Sequence, residues 1–217
     1  MAITVYIADD HAVVRDGLRA LLENVGGIAY IGCAADGRTA VREVCELQPD
    51  VVLMDISMPE LNGIEATQQI REAVPAVRVI ILSMHSTTEH VYRALQAGAR
   101  GYLLKESAGK DLVAAVQAVA QGKRFLSEKL SELMMDDIAV RGGAFRDQSP
   151  LERLSARERE ILQLVAEGRT SAEIATVLFL SPKSVDTYRS RLMQKLGIKD
   201  YPALIRFALQ HGLTRLE

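Results

Sequence analysis

A chain of 217 residues that is 48% hydrophobic holds enough apolar material for two separate cores. No apolar run approaches the roughly 20 residues needed to cross a bilayer. The amino-terminal segment also lacks the basic stretch and apolar core of a secretion signal, so a cytoplasmic protein with no membrane partner is expected. Net charge is only −2, yet Lys plus Arg stand against Asp plus Glu as 10 to 15 over residues 1–120, 5 to 5 over 121–150 and 11 to 8 over 151–217. That split suggests two modules with different partners, a cation for the first and nucleic acid for the last. The two cysteines, Cys33 and Cys45, have neither metal-ligand nor disulfide-like spacing and read as buried, reduced side chains without a functional role.

In chain order, Ile3 to Ala8, Ile28 to Ala34, Val51 to Met54, Val77 to Leu82 and Gly101 to Leu104 are short apolar runs of strand length. Between them the apolar residues recur at helical spacing, as in Val13, Leu18, Leu21 and Leu22, or Ile64, Thr67, Ile70 and Val74. Five β/α alternations with short connections predict a doubly wound, five-stranded parallel sheet covered by helices on both faces. The third run, bounded by Pro49 and Pro59, delivers Asp55 to the carboxyl edge of a central strand, and Asp9 and Asp10 end the first run in the same way. In such sheets that edge is where ligands bind.

The architecture thus gathers Asp9, Asp10, Asp55, Ser83 and Lys105 at four strand ends. Singly, each has an ordinary explanation as a helix cap, a turn residue or a solvated charge. Jointly they describe a site. Crowded carboxylates need a cation to stay ionised, and Mg2+, a hard ion with oxygen ligands, suits them. With Lys105 and the metal facing phosphoryl oxygens, Asp55 can act as a nucleophile and Ser83 as a donor to the same group. A phosphatase of the haloacid dehalogenase type also uses an aspartyl nucleophile, but it needs a second Asp two positions on, where this chain has Ser57.

Residues 121–150 read as a linker with one possible short helix through Leu130, Leu133, Met134 and Ile138, followed by an exposed stretch over 141–149. From 151 to 217 the pattern is helical. A capping box at Ser155 and Glu158 opens the first helix, and Thr170 or Ser171 opens the second. Pro182 sits in the first turn of a third helix that Gly197 stops, which is a helix-turn-helix order.

Asp9-Asp10, Asp55 followed by Met58-Pro59 and Gly63, Ser83, and Tyr102 three residues before Lys105 resemble the receiver domain of bacterial response regulators over residues 1–120. The resemblance implies a flavodoxin-like sheet and phosphorylation of Asp55 by a sensor histidine kinase or a small phosphodonor. It further implies magnesium held by Asp10, Asp55 and the Ser57 carbonyl with help from Asp9, and a switch through Ser83 and Tyr102. Glu106 departs from the proline that many receivers carry after the lysine, which puts in question the cis peptide often found there. Leu154-Ser155, Arg157-Glu158, Glu160-Ile161-Leu162, Glu173-Ile174-Ala175 and Ser184-Val185 with Thr187-Tyr188, Leu192 and Lys195-Leu196 resemble the DNA-binding domain of NarL and LuxR type regulators.

By that likeness Lys183, Arg189, Arg191 and Lys195 hold phosphates, and Asp186, Thr187 and Ser190 face base edges of double-stranded DNA; Ser184 and Tyr188 complete the candidate contact surface. The expectation is a two-component transcription regulator that dimerises when phosphorylated and reads two half-sites. It catalyses nothing beyond phosphorylation and dephosphorylation of its own Asp55. The alternative is a phosphorylation-dependent switch whose helical domain binds a protein. Ala203, Leu204, Phe207 and Ala208 of the last helix are a candidate dimer surface or part of the domain's own core.

Overall fold

The computed structural model describes residues 2–84, 86–141 and 149–214. They belong to two compact units, Met1–Ala144 and Phe145–Glu217. The first is built as β1 (Ile3–Ala8), α1 (Ala12–Glu23), β2 (Ile28–Ala34), α2 (Gly37–Leu47), β3 (Val51–Asp55), α3 (Gly63–Ala73), β4 (Arg78–Ser83), α4 (Thr88–Ala97), β5 (Gly101–Leu104), α5 (Ala108–Ala120), β6 (Phe125–Leu126) and α6 (Glu128–Arg141). All six strands are parallel, in the order β2-β1-β3-β4-β5-β6.

The apolar runs are explained by two cores, one on each face of the sheet. Along β3 every residue is buried, because successive side chains point to opposite faces and both faces are covered. Val52 and Met54 join Tyr6, Ile81 and Tyr102 under α2, α3 and α4, whereas Val51 and Leu53 join Val5, Ile7 and Leu103 under α1 and α5. No cis peptide bond occurs among the described residues, Lys105-Glu106 included.

The sheet differs from the five-stranded expectation by β6, whose two residues pair with Gly101 and Tyr102 of β5. Two residues are too few to generate a recognisable alternation. Cys33 and Cys45, expected to be buried, are instead exposed and half-buried, and Cys33 lies on β2, an edge strand of the sheet. The segment 121–150 is also more than a linker with a short helix. Its helix α6 has 14 residues, and Leu130 and Met134, one turn apart, are buried in the same core as Tyr102. Lys129 Nζ lies 2.9 Å from Glu106 Oε1, on the loop after β5. Most of the exposed stretch expected over 141–149 lies outside the described residues.

The second unit comprises a short 3₁₀ turn (Pro150–Arg153) and four helices, α7 (Ala156–Ala166), α8 (Ser171–Leu178), α9 (Pro182–Leu196) and α10 (Tyr201–Gln210). Capping boxes at Ser155/Glu158 and Thr170/Glu173 start α7 and α8, so Thr170 rather than Ser171 is the cap of α8. Between α8 and α9 the chain reverses through Phe179, left-handed at φ 53° and almost wholly exposed. Ile161, Leu162, Ile174, Val185, Leu192 and Leu204 make the core of this unit.

Candidate phosphoacceptor site and nucleic-acid interface

Asp9 and Asp55 are carried to the same rim because β1 and β3 are hydrogen-bonded neighbours running in the same direction. Both are nearly inaccessible to solvent. The ammonium of Lys105, immediately after β5, lies between them, 2.7 Å from Asp9 Oδ2 and 3.0 Å from Asp55 Oδ1. Burial pushes the Asp55 carboxyl above the ordinary aspartate range; Lys105 opposes this, Asp9 adds to it, and the backbone N–H of Ser57 donates to the carboxylate. One oxygen of Asp55, Oδ2, is buried without a hydrogen-bond partner among the described residues.

One ligand atom from each of Asp9, Asp10, His11 and Asp55 falls within 4.8 Å of the others. A cluster of carboxylate oxygens with an orphaned acceptor suits a hard divalent cation. His11 was not singled out from the sequence. Its Nδ1 lies 2.9 Å from Asp10 Oδ1 and 3.2 Å from Asp9 Oδ1, and its N–H donates to Asp9 Oδ1. The available clue was its place directly after two acids at a strand end. Arg15, one turn into α1, donates to the Asp9 carbonyl at 2.7 Å.

Ser83 ends β4, next to the end of β3, and is buried. Tyr102 is fully buried and hydrogen-bonded to Ser83; burial pushes its phenol up to about 12, although the Ser83 bond pulls the other way. Ser83 also lines a small cavity of about 80 Å³ together with Leu104, Glu106 and Lys129 of α6. Ser83 of the acidic rim and Lys129 of α6 therefore border one small cavity.

On α9, Lys183, Asp186, Thr187, Ser190, Arg191 and Lys195 are exposed, and Ser184, Tyr188 and Arg189 are half-buried. Several of these already have internal partners. Ser184 meets Ser181 at the cap of α9, Thr187 and Ser190 donate to carbonyls one turn back, and Asp186 accepts from Ser171 Oγ at 2.6 Å. Arg189 donates to Ser171 and stacks 4.5 Å over the Tyr201 ring. Tyr188 packs against the core of the unit. Leu204 and Ala208 of α10 are buried in that core.

Lys195 Nζ lies 2.6 Å from Glu158 Oε2, and the Glu158 side chain is 4% exposed. Burial raises the Glu158 carboxyl, but hydrogen bonds from Lys195 and Ser155 outweigh it and hold the group below the ordinary glutamate range. Replacing Lys195 by Ala leaves that buried carboxylate without its cation and should cost about 1–3 kcal/mol. Lys183→Ala should stay within about 0.5 kcal/mol of wild type. Since the Glu158 pKa is depressed, the stabilisation from the pair is present above the unfolded-state pKa and is lost as pH falls through the folded-state value. The gap between the two variants should therefore close on acidification. Thermal unfolding as a function of pH checks this, and an equal loss in both variants would refute it.

Residues 5–117 match the model of the response regulator receiver domain, and residues 152–208 match that of the luxR family of bacterial regulatory proteins. The chain is 38% identical over 212 residues to the oxygen regulatory protein NreC of Staphylococcus carnosus strain TM300, covering 96% of this chain and 98% of that one. Among solved structures it is similar to a LuxR-family two-component response regulator from Aurantimonas sp. SI85-9A1, with TM-score 0.62 and 36% identity over 64% of this chain and 99% of that one. It is also similar to RcsB from Salmonella enterica serovar Typhimurium bound to the promoter rprA in the presence of phosphomimetic BeF3−, with TM-score 0.63 and 28% identity over 95% and 98% of the two chains. A receiver sheet with its acidic rim, followed by a helix-turn-helix unit, places this chain in the LuxR family of two-component response regulators, whose members bind DNA.

Proposed function

We propose that phosphorylation of Asp55 controls DNA binding by α9. The observation that carries this reading is the Lys105 ammonium lying between the two buried carboxylates of Asp9 and Asp55 at the carboxyl edge of the sheet. An Asp55 oxygen attacks the phosphorus of a sensor kinase's phosphohistidine, or of a small phosphodonor. The new O–P bond forms as the bond to the leaving group breaks, and Lys105 faces the charge on the transferred group. Asp9, Asp10, Asp55 and the Ser57 carbonyl would hold Mg2+, which supplies positive charge against the phosphoryl oxygens when bound. No chemistry beyond gain and loss of this phosphoryl group is assigned to the chain, which works in the cytoplasm.

The output is a population shift. Ser83, freed from Tyr102 to meet the phosphoryl group, alters the cavity that it shares with Lys129 of α6, the last helix of the first unit in chain order. The phosphorylated form is a homodimer that lays α9 of each copy in the major groove of half-sites about one helical turn, roughly 10 base pairs, apart. Lys183 and Arg191 hold phosphates there, joined by Arg189 and Lys195 where their internal partners release them. Asp186, Thr187 and Ser190 face base edges, with Ser184 and Tyr188 at the margin. The RcsB structure on a promoter with a phosphomimetic supports this reading.

The test is DNA affinity with and without phosphodonor. Ser83→Ala should still be phosphorylated, yet lose most of the gain in dimerisation and affinity. Unchanged gains in both Ser83→Ala and Tyr102→Ala would refute the route. Lys183→Ala and Arg191→Ala should each weaken binding to specific and scrambled duplexes alike and shallow the salt dependence by about 0.9. A loss confined to the specific duplex would mean that they read bases.

A further inference from the structure

At the amino edge of the sheet, opposite Asp55, a cavity of about 390 Å³ is lined by Arg71, Arg78, Arg100 and Arg124, and no acidic residue takes part in its wall. The four come from different elements. Arg71 is in the last turn of α3, Arg78 opens β4, Arg100 precedes β5 and Arg124 precedes β6. In a parallel sheet the amino ends of β4, β5 and β6 must share a rim, so arginines spread over more than fifty positions of sequence converge there. The strand β4 separates this rim from the phosphoacceptor rim by about 17 Å, at about 3.3 Å per residue.

The cationic groups are mounted on fixed backbone. The N–H of Arg78 donates to the Asp50 carbonyl at 3.2 Å, the N–H of Arg100 donates to the Val79 carbonyl at 2.8 Å, and the Arg100 carbonyl accepts from Phe125 at 3.0 Å. Arg71 lies across the end of α4, where its Nη1 donates to the Gln96 carbonyl at 3.1 Å. Gly98 makes that position accessible. It ends α4 at φ +112°, and a Cβ there would stand 2.3 Å from Arg71 Cδ. Asp50, the acid beside Arg78, directs its carboxylate to Thr4 on β1. Among the described residues no carboxylate forms an ion pair with any of the four arginines.

Four guanidinium groups without acids repel one another, and they do so in a unit whose overall charge is negative. A multiply charged anion removes that cost. Planar guanidinium forks fit phosphate oxygens in pairs, and several forks around one concavity match several phosphate groups better than one. The volume is within the usual range of small-ligand sites. We propose that this cavity binds a small polyanion carrying two or more phosphate groups, gripped by Arg71, Arg78, Arg100 and Arg124. The proposal is independent of the phosphorylation reading, since it uses none of that site's residues.

The test is calorimetric titration of the full chain with pyrophosphate and with tripolyphosphate, in EDTA so that the acidic rim cannot recruit a metal-bound anion. Wild type should show one saturable site that prefers both probes over inorganic phosphate at least tenfold. Arg78→Gln/Arg100→Gln should weaken binding at least tenfold, whereas Lys183→Gln/Arg191→Gln, which removes cations of the helical unit, should leave it unchanged. If the first double variant fails to fold, Arg124→Gln, in an exposed loop, should still weaken binding severalfold. In wild type the amide resonances of Arg78, Gly98, Arg100 and Gly122 should shift on addition of pyrophosphate. Absence of a saturable site, equal affinity for inorganic phosphate, full affinity in the variants at this rim, or shifts confined to the helical unit would each overturn the proposal.

Discussion

With magnesium and acetyl phosphate, the full chain is expected to take up one base-labile phosphoryl group, and Asp55→Asn none. The reason is chemical rather than structural. Asn is nearly isosteric with Asp, so the rim should keep its shape while losing a carboxylate that combines a buried, orphaned oxygen with an ammonium 3.0 Å from its other oxygen. Lys105→Ala should retain the nucleophile but lose the charge shared by Asp9 and Asp55, and its uptake should fall by about 10²-fold, in line with the loss of one preorganised charge contact. Intact mass measured under mildly acidic conditions reads both outcomes. Uptake that persists in Asp55→Asn, or that ignores chelation of magnesium, would remove Asp55 from the role given to it.

Gly63→Ala should be the most damaging single-methyl change near the site. The added Cβ would stand 1.9 Å from the Asp55 carbonyl oxygen and 2.9 Å from Met54 Cγ. Backbone cannot yield as a side-chain tip does, so α3 must back away from the end of β3. That movement also stretches the bond in which the Gly63 N–H donates to the Ile56 carbonyl at 2.8 Å. Overpacking of this kind costs about 1–3 kcal/mol or more, and the close approach to main chain puts Gly63 at the upper end. Gly17→Ala is the matched control. It lies within α1 with nothing near the new methyl, and it should stabilise by about 0.4–1 kcal/mol through the unfolded chain. Denaturant midpoints of the two variants should move in opposite directions, and phosphate uptake should slow in Gly63→Ala alone. Similar midpoints for both would show that α3 shifts freely.

What the sequence determined by itself follows from local rules that survive folding. Val51 to Asp55 had to be a doubly buried strand, because a run without polar alternation can only satisfy both faces of a sheet at once. Parallel strand direction then obliged Asp9, Asp55, Ser83 and Lys105 to share one rim. Gly63 belonged to a recognisable motif, but its physical reason, contact with the Asp55 carbonyl, needed coordinates. Likewise Ser155 and Gly197 bounded their helices through signals written in a few adjacent residues, whereas the choice of Thr170 over Ser171 and the cap at Ser181 came from the structure.

What only the tertiary structure decided depends on partners remote in the chain. Lys195 reads as one more cation on a basic helix until Glu158, 37 residues earlier, is found beside it. Arg189 similarly meets Ser171 and Tyr201. β6 has too few residues to declare itself, and although a short helix was legible around Leu130 and Met134, its length and the burial of those two side chains in the core of the first unit came from the structure. The arginine-lined cavity had no local signature at all, since Arg71, Arg78, Arg100 and Arg124 are brought together by the shared amino edge of parallel strands rather than by any spacing along the sequence.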